Sequence, residues 1–202
     1  MGKSTRNLWT EKLSKEPTEN VPHCREDALD IGPSFKGTVL GIDPSLRGTG
    51  LALLDFNTKS APHLIYSETL RLKPELTMAE CLASIFVAVT HILETRSVDH
   101  VAFEQTIFVQ NQNTAQALGA AKGAAMAAVG LKEKPVFEYP PLRIKQAVVG
   151  FGKASKEQVA KMVMQLLKLD NELPFDESDA AGVAVCHAFT HKEKKAVACS
   201  KA

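Results

Sequence analysis

Four carboxylates stand where they could do chemistry together. Asp43 ends the apolar run Thr38-Val39-Leu40-Gly41-Ile42 and is followed by Pro44. Glu104 comes directly after Val101-Ala102-Phe103, and Asp176 and Asp179 sit three apart in the stretch FDESDAA. At the start of a helix, that spacing points both side chains to nearly one face. Each acid taken alone has an ordinary explanation. Asp-Pro opens turns well, Glu104 could be a salt-bridged strand end, and acids are favoured in a helix's first turn. Taken jointly they are harder to dismiss, because each ends an element that otherwise packs inward, where an unpaired charge is costly. Two like charges at roughly 4 Å repel by about 4 kcal/mol at an effective dielectric near 20. Such a cluster persists only with protons or cations to neutralise it. An all-oxygen ligand set favours Mg²⁺ or Mn²⁺ over zinc. Two such ions about 4 Å apart form the clamp used for in-line phosphodiester hydrolysis.

The glycines beside Asp43, in GIDPSLRGTGLALLDF, invite a different reading as a phosphate loop. They fit neither a Walker A pattern nor G-x-G-x-x-G, and a strand-like run follows Gly50 where a nucleotide loop needs a helix. We expect them to be turn residues with positive φ between two strands. Gly2-Lys3-Ser4-Thr5 mimics the end of a Walker A loop but has no upstream glycine or strand. His187 and His191 lie one helical turn apart, a spacing that can bind zinc; with no third ligand evident, structural histidines are expected.

Elements must bring these residues together. Thr38 to Asp43 and Leu51 to Phe56 read as a hairpin, and alternation from His63 to Leu70 as a third strand. Thr77 to Thr95 has helical spacing, with Thr77 as cap and Glu80 three residues on. Val98 to Phe103 and Pro135 to Tyr139 read as two further strands. Helices are expected over Asn113 to Val129, Leu142 to Val149, Ser155 to Leu167 and Glu177 to Lys192. The alanine-rich helix from Asn113 would admit another backbone closely, either from a second copy of the chain or within one tight core. The order predicts an α/β fold with a mixed five-stranded sheet, its first three strands antiparallel. Residues 1–36, mixed in charge and rich in proline, are expected to be a flexible extension, 37–192 the domain and 193–202 a tail.

Composition narrows the class. At 202 residues with 45% hydrophobic and 23% charged content, the chain has the make-up of an ordinary globular protein. A net charge of +1 gives no global sign of a nucleic-acid binder, so that case must rest on local patches. The four scattered cysteines contain no C-x-x-C pair, which argues against a disulfide framework. With no signal-peptide-like core and no segment expected to span a membrane, we expect the cytoplasm.

GIDPSLRGTG, AFEQ with NTAQALGAAKGA, PVFEYPPLRIKQAVVGFGKASKEQV and DESDAAGVAVCHA together resemble the RuvC family of Holliday-junction resolvases, within the RNase H-like superfamily. The similarity runs from about Val39 to His187. It implies an RNase H-like fold, with Asp43, Glu104, Asp176 and Asp179 as ligands of two Mg²⁺ ions, Mn²⁺ being an acceptable substitute. It places Lys145 and Lys156 next to the scissile phosphate. Arg143 and Lys153 belong to the same basic stretch, whose ordinary reading is a solvated helix face and whose reading within the family is DNA contact. The family often inserts an aromatic residue at the junction centre; here strict register gives Ile107, with Phe108 one place late. The resemblance further implies paired symmetric nicks in four-way junction DNA that leave 5′-phosphate and 3′-hydroxyl ends, and a homodimer. A branch-migration helicase complex of the RuvA and RuvB type is the implied partner. Rival readings are an RNA-acting nuclease of the YqgF type, an actin-like or sugar-kinase-like nucleotide fold, and a junction-binding protein without catalysis. The long match through Lys145 to Lys156, the short chain and the intact acid set argue against these in turn.

Overall fold

The computed structural model describes residues 32–57, 61–106 and 111–192. The chain divides into two units after Gly32, and the second, Pro33–Ala202, carries every element described here. The strands are β1 (Thr38–Asp43), β2 (Gly48–Asp55), β3 (His63–Arg71), β4 (His100–Glu104) and β5 (Val136–Tyr139). The helices are α1 (Met78–Thr95), α2 (Gln112–Leu131), α3 (Pro141–Val149), α4 (Lys156–Leu167) and α5 (Phe175–Thr190). Together the strands make one mixed sheet in the order β3-β2-β1-β4-β5. The first three are antiparallel neighbours, and β4 and β5 run parallel to β1.

Period-two alternation divides the central strands between two cores. Leu40, Ile42, Leu51, Leu53, Val101 and Phe103 face α1 and α2. Val39, Ala52, Leu54 and Ala102 face α3, α4 and α5. The same parity turns Asp43 and Glu104 toward the α5 face, one step past the end of each apolar run. The caps follow the sequence: Thr77 with Glu80 and Ser155 with Gln158 each form a reciprocal capping box that satisfies first-turn N–H groups.

Helix α5 is buried nearly all round, because α3 and α4 pack over it while it crosses the sheet. That crossing explains the glycines, and it corrects the expectation of positive-φ turn residues. Gly48 and Gly50 are extended residues inside β2, and the described glycines with positive φ are Gly37 and Gly150. A methyl at Gly41 would lie 2.0 Å from the carbonyl oxygen of Ala180, and one at Gly50 2.0 Å from that of Asp176. These two glycines let a helix backbone rest directly on the sheet.

Other boundaries differ for identifiable reasons. Residues 1–31 lie outside the described residues, but the last part of the expected extension belongs to the domain. Phe35 is buried, and its N–H donates to Ala188 O at 3.0 Å. Ser34 Oγ donates to the carbonyls of Ala188 and His191. The last helix begins at Phe175, two residues early, because Pro174 supplies helix-compatible entry without needing an N–H of its own. Helix α1 is long and apolar enough to cross a membrane, contrary to expectation. Its Ile85, Val89, Ile92 and Leu93 pack with β-strand and α2 residues, as a core helix does.

Candidate active site

One row of residues crosses four strands at the same level of the sheet. Asp43 pairs across the ladder with Gly50, and Gly50 with Thr69. On the other side Ile42 pairs with Phe103, so Glu104 comes up beside Asp43. The first turn of α5 passes over this row, with the Asp176 carbonyl seated on Gly50. Asp43, Glu104 and Asp179 line a cleft of about 350 Å³ together with Lys145 of α3 and Lys156 of α4. Lys156 Nζ donates to Asp179 Oδ2 at 3.2 Å. Asp176 sits just outside, its Oδ2 beside Gly48, near enough that its charge is felt at Asp43.

The loop that ends β1 is braced from both sides. Ser45 Oγ accepts from Gly48 N–H at 2.9 Å, and Thr49 Oγ1 donates to Ser45 O at 2.6 Å. Arg47 donates to the carbonyls of Lys73 and Leu76, tying the β1–β2 turn to the segment before α1. These bonds fix the loop that follows Asp43, whose half-buried side chain faces the cleft. Burial, then the charges of Glu104 and Asp179, push its carboxyl up to about 7; Lys156 partly opposes this. Burial and Asp179 also raise Glu104, against Lys156, Lys145 and Lys122. Lys156 is raised in turn, chiefly by the charge of Asp179. The site is thus an anionic cleft short of positive charge.

The model of the family described as crossover junction endodeoxyribonuclease RuvC matches residues 39–187. The chain belongs to the RuvC family. A RuvC from Cupriavidus metallidurans is 39% identical over 150 residues, covering 74% of this chain and 82% of the relative. One from Vibrio cholerae serotype O1 is 41% identical over 162 residues, covering 79% and 91%. The structure of Thermus thermophilus RuvC in complex with a Holliday junction substrate superposes with a TM-score of 0.72 at 32% identity, over 76% of this chain and 93% of that one. The yeast mitochondrial Holliday junction resolvase Ydc2 shares the fold, at a TM-score of 0.54 and 12% identity. Membership in the RuvC family makes the chain an endodeoxyribonuclease and implies dependence on a divalent metal.

The residues present fit such a metal. The donors are all carboxylate oxygens, the hard ligands that Mg²⁺ and Mn²⁺ prefer, and the burial and mutual repulsion that raise Asp43 are what a bound cation would offset. Among the described residues no three acids close into a ready-made cage, and Asp179 holds Lys156 instead. Of the other sequence candidates, Arg143 and Lys153 are exposed and stand outside the set that lines the cleft. Ile107 and Phe108 lie outside the described residues.

Sequence reasoning missed Lys122, Glu177 and Ser178 around the site, while His187 is the structural histidine it expected. Lys122 of α2 is buried and pairs with Glu138 of β5 at 2.5 Å, and its charge reaches Glu104. A lysine in the middle of an alanine-rich helix was the available signal. Glu177, between the two α5 acids, bonds to β3. His187 has both ring nitrogens engaged, by Tyr139 OH and by His100 Nδ1, each at 2.9 Å, which makes it a structural histidine. Ser178 Oγ, by contrast, is buried with no hydrogen-bond partner among the described residues. Ser178→Ala removes an unsatisfied group worth about 1–3 kcal/mol in desolvation, so the melting temperature should hold or rise. A drop of several degrees in thermal unfolding would mean that Ser178 has a partner in solution.

Proposed function

We propose that this chain resolves four-way DNA junctions in recombination and repair, by paired symmetric nicks that leave 5′-phosphate and 3′-hydroxyl ends. The observation that carries the reading is the meeting of Asp43, Glu104 and Asp179 with Lys145 and Lys156 on one cleft. The Thermus thermophilus relative bound to a Holliday junction supports the choice of substrate. In this reading Asp43, Glu104, Asp176 and Asp179 hold two Mg²⁺ ions, with Mn²⁺ as a substitute. Bound there, the ions would supply neutralising charge, an acidified attacking water and stabilisation of the leaving 3′ oxygen.

The protein's own groups bind and orient the strand. Lys145 and Lys156 offset charge on the scissile phosphate, and Lys156, which holds Asp179 in this structure, would be free to turn to that phosphate if Asp179 held a cation. Arg143 and Lys153 extend the phosphate track. In this reading Ile107 or Phe108 would be the wedge that opens the junction centre. Two matched nicks need two matched sites, so the working form is a two-fold dimer. Helix α2 supports this: among the described residues nothing lies within 4 Å of a methyl built on Gly119, Gly123 or Gly130. Its buried Ala121, Ala125 and Ala128 pack inward, so the outward glycines remain open to a second helix. A helicase complex of the RuvA and RuvB type would deliver the junction in the cytoplasm.

The test is incubation of synthetic four-way junctions, linear duplex and RNA hairpins with Mg²⁺, using the wild type and Asp179→Asn. Nicks confined to the junction, dependent on Mg²⁺ and lost in the variant, are expected. Equal cutting of linear duplex would sink the junction reading. Tight junction binding by a wild type that never nicks would make the chain a binding module instead.

A further inference from the structure

Two of the four acids ride on the first turn of α5, and that turn begins without a conventional anchor. Pro174 stands at the cap and offers no side-chain hydrogen bond to the first N–H groups. The turn is held by its neighbours on the sheet instead. Glu177, the residue after Asp176, reaches sideways to β3 and has both carboxylate oxygens occupied there. Ser67 Oγ donates to Oε2 at 2.5 Å and Thr69 Oγ1 donates to Oε1 at 3.3 Å. Across the ladder Ser67 pairs with Ala52 and Thr69 with Gly50. The grip therefore falls beside the bare Cα of Gly50 on which the Asp176 carbonyl rests.

These contacts divide the work of fixing the helix. Gly50 sets how close the turn approaches the sheet, while Glu177 sets where it stands along and across the strands. Asp176 and Asp179 flank Glu177 on the same turn and share its placement. We infer that Glu177 is a positioning residue, whose two-point anchorage to Ser67 and Thr69 fixes Asp176 and Asp179 at the spacing from Asp43 and Glu104 that divalent cations need. The inference rests on the metal-centre reading given under the proposed function. Groups that orient ligands without touching the ion are commonly worth about 10–100-fold in metal affinity.

The test is Mn²⁺ binding to the full chain by calorimetry, beside the Mg²⁺ dependence of junction nicking and junction binding in EDTA. Glu177→Ala should weaken Mn²⁺ binding about tenfold and raise the half-saturating Mg²⁺ to match. Its maximal rate should fall less than its affinity, and junction binding in EDTA should hold, which also reports an intact fold. Ser67→Ala with Thr69→Val should reproduce that shift without touching an acid. Glu177→Gln keeps a shape that both hydroxyls can bond and should stay within about threefold of the wild type. A Glu177→Ala protein with a lowered melting temperature but an unmoved Mn²⁺ curve would reduce the residue to a structural role and overturn the inference. Equal damage from Glu177→Gln and Glu177→Ala would also overturn it, by making Glu177 a ligand through its charge. A wild type showing no Mn²⁺ binding that Asp179→Asn removes would sink the metal-centre reading and this inference together.

Discussion

Asp43→Asn should slow junction nicking by on the order of 10³-fold and, in the same protein, raise stability above pH 7 when metal is absent. The two effects share one cause. The Asp43 carboxyl is raised from 3.8 to about 7 by burial and its acidic neighbours. Between those values the folded protein keeps a proton that the unfolded chain has released. Protonation therefore favours the fold in that window, and this contribution is lost as pH rises through about 7. At roughly 1.4 kcal/mol per pH unit, the penalty in the charged state is on the order of 4 kcal/mol. Asparagine carries no charge and escapes it. Glu104, raised for similar reasons, acts in the same sense.

His187 works in the opposite direction. Burial first, then His191 and His100, pull it down from 6.5 to about 3. The unfolded chain binds that proton first, so stability falls as pH drops below 6.5. In the wild type the two trends oppose one another on the acid side, whereas Asp43→Asn leaves the histidine loss exposed. Melting temperatures in EDTA from pH 4.5 to 8.5 check this. The variant should exceed the wild type at pH 8 and lose that lead toward pH 4.5. Adding Mg²⁺ at pH 8 should raise the wild type and leave the variant nearly unmoved. A variant no more stable than the wild type at pH 8 would show that Asp43 is not under electrostatic strain.

Gly50→Ala should cost about 3 kcal/mol or more and remove activity with it. The added methyl meets the backbone of Asp176, at 2.0 Å from its oxygen and 2.6 Å from its carbonyl carbon. No side-chain rotation relieves a clash with backbone, so the start of α5 must lift from the sheet and carry Asp176 and Asp179 away. Gly41→Ala should behave alike, its methyl falling 2.0 Å from Ala180 O. Gly48→Ala is the control on the same strand, because its nearest contacts, Ser45 Oγ at 3.5 Å and Asp176 Oδ2 at 3.6 Å, are ordinary ones. Urea unfolding of the three variants decides the matter, and a Gly50→Ala protein as stable as Gly48→Ala would contradict the seating of α5.

Local signals were the ones the sequence carried well. Thr77 with Glu80 and Ser155 before its amphipathic run announce helix starts, because a cap and its partner lie within four residues of each other. The apolar runs that lead into Asp43 and Glu104 placed each acid at a strand end for the same reason. The misreadings around the site involve partners distant along the chain. Gly50 looked like a turn glycine because its reason for being small, the Asp176 carbonyl, is more than a hundred residues away. Phe35 looked like part of a loose extension, yet it stacks on His100 with ring centroids 4.4 Å apart and leans on α5. The i, i+4 spacing of His187 and His191 was legible, but not that Tyr139 and His100 occupy both nitrogens of His187. Lys122 stood out among alanines, while Glu138, its counter-ion, sits on another element.

The seating of α5 on Gly41 and Gly50 also bears on how such an enzyme can be made safely. During synthesis Asp43 and Glu104 leave the ribosome well before Asp176 and Asp179, by several seconds at roughly 5–20 residues per second. In the metal-centre reading proposed above, half of the carboxylate set is missing until the last described helix docks. On the same reading, a chain stalled or cleaved before Phe175 lacks Asp176 and Asp179 and should not nick DNA. On that reading the order in which the polypeptide emerges would act as an interlock, because the two acids on α5 leave the ribosome last.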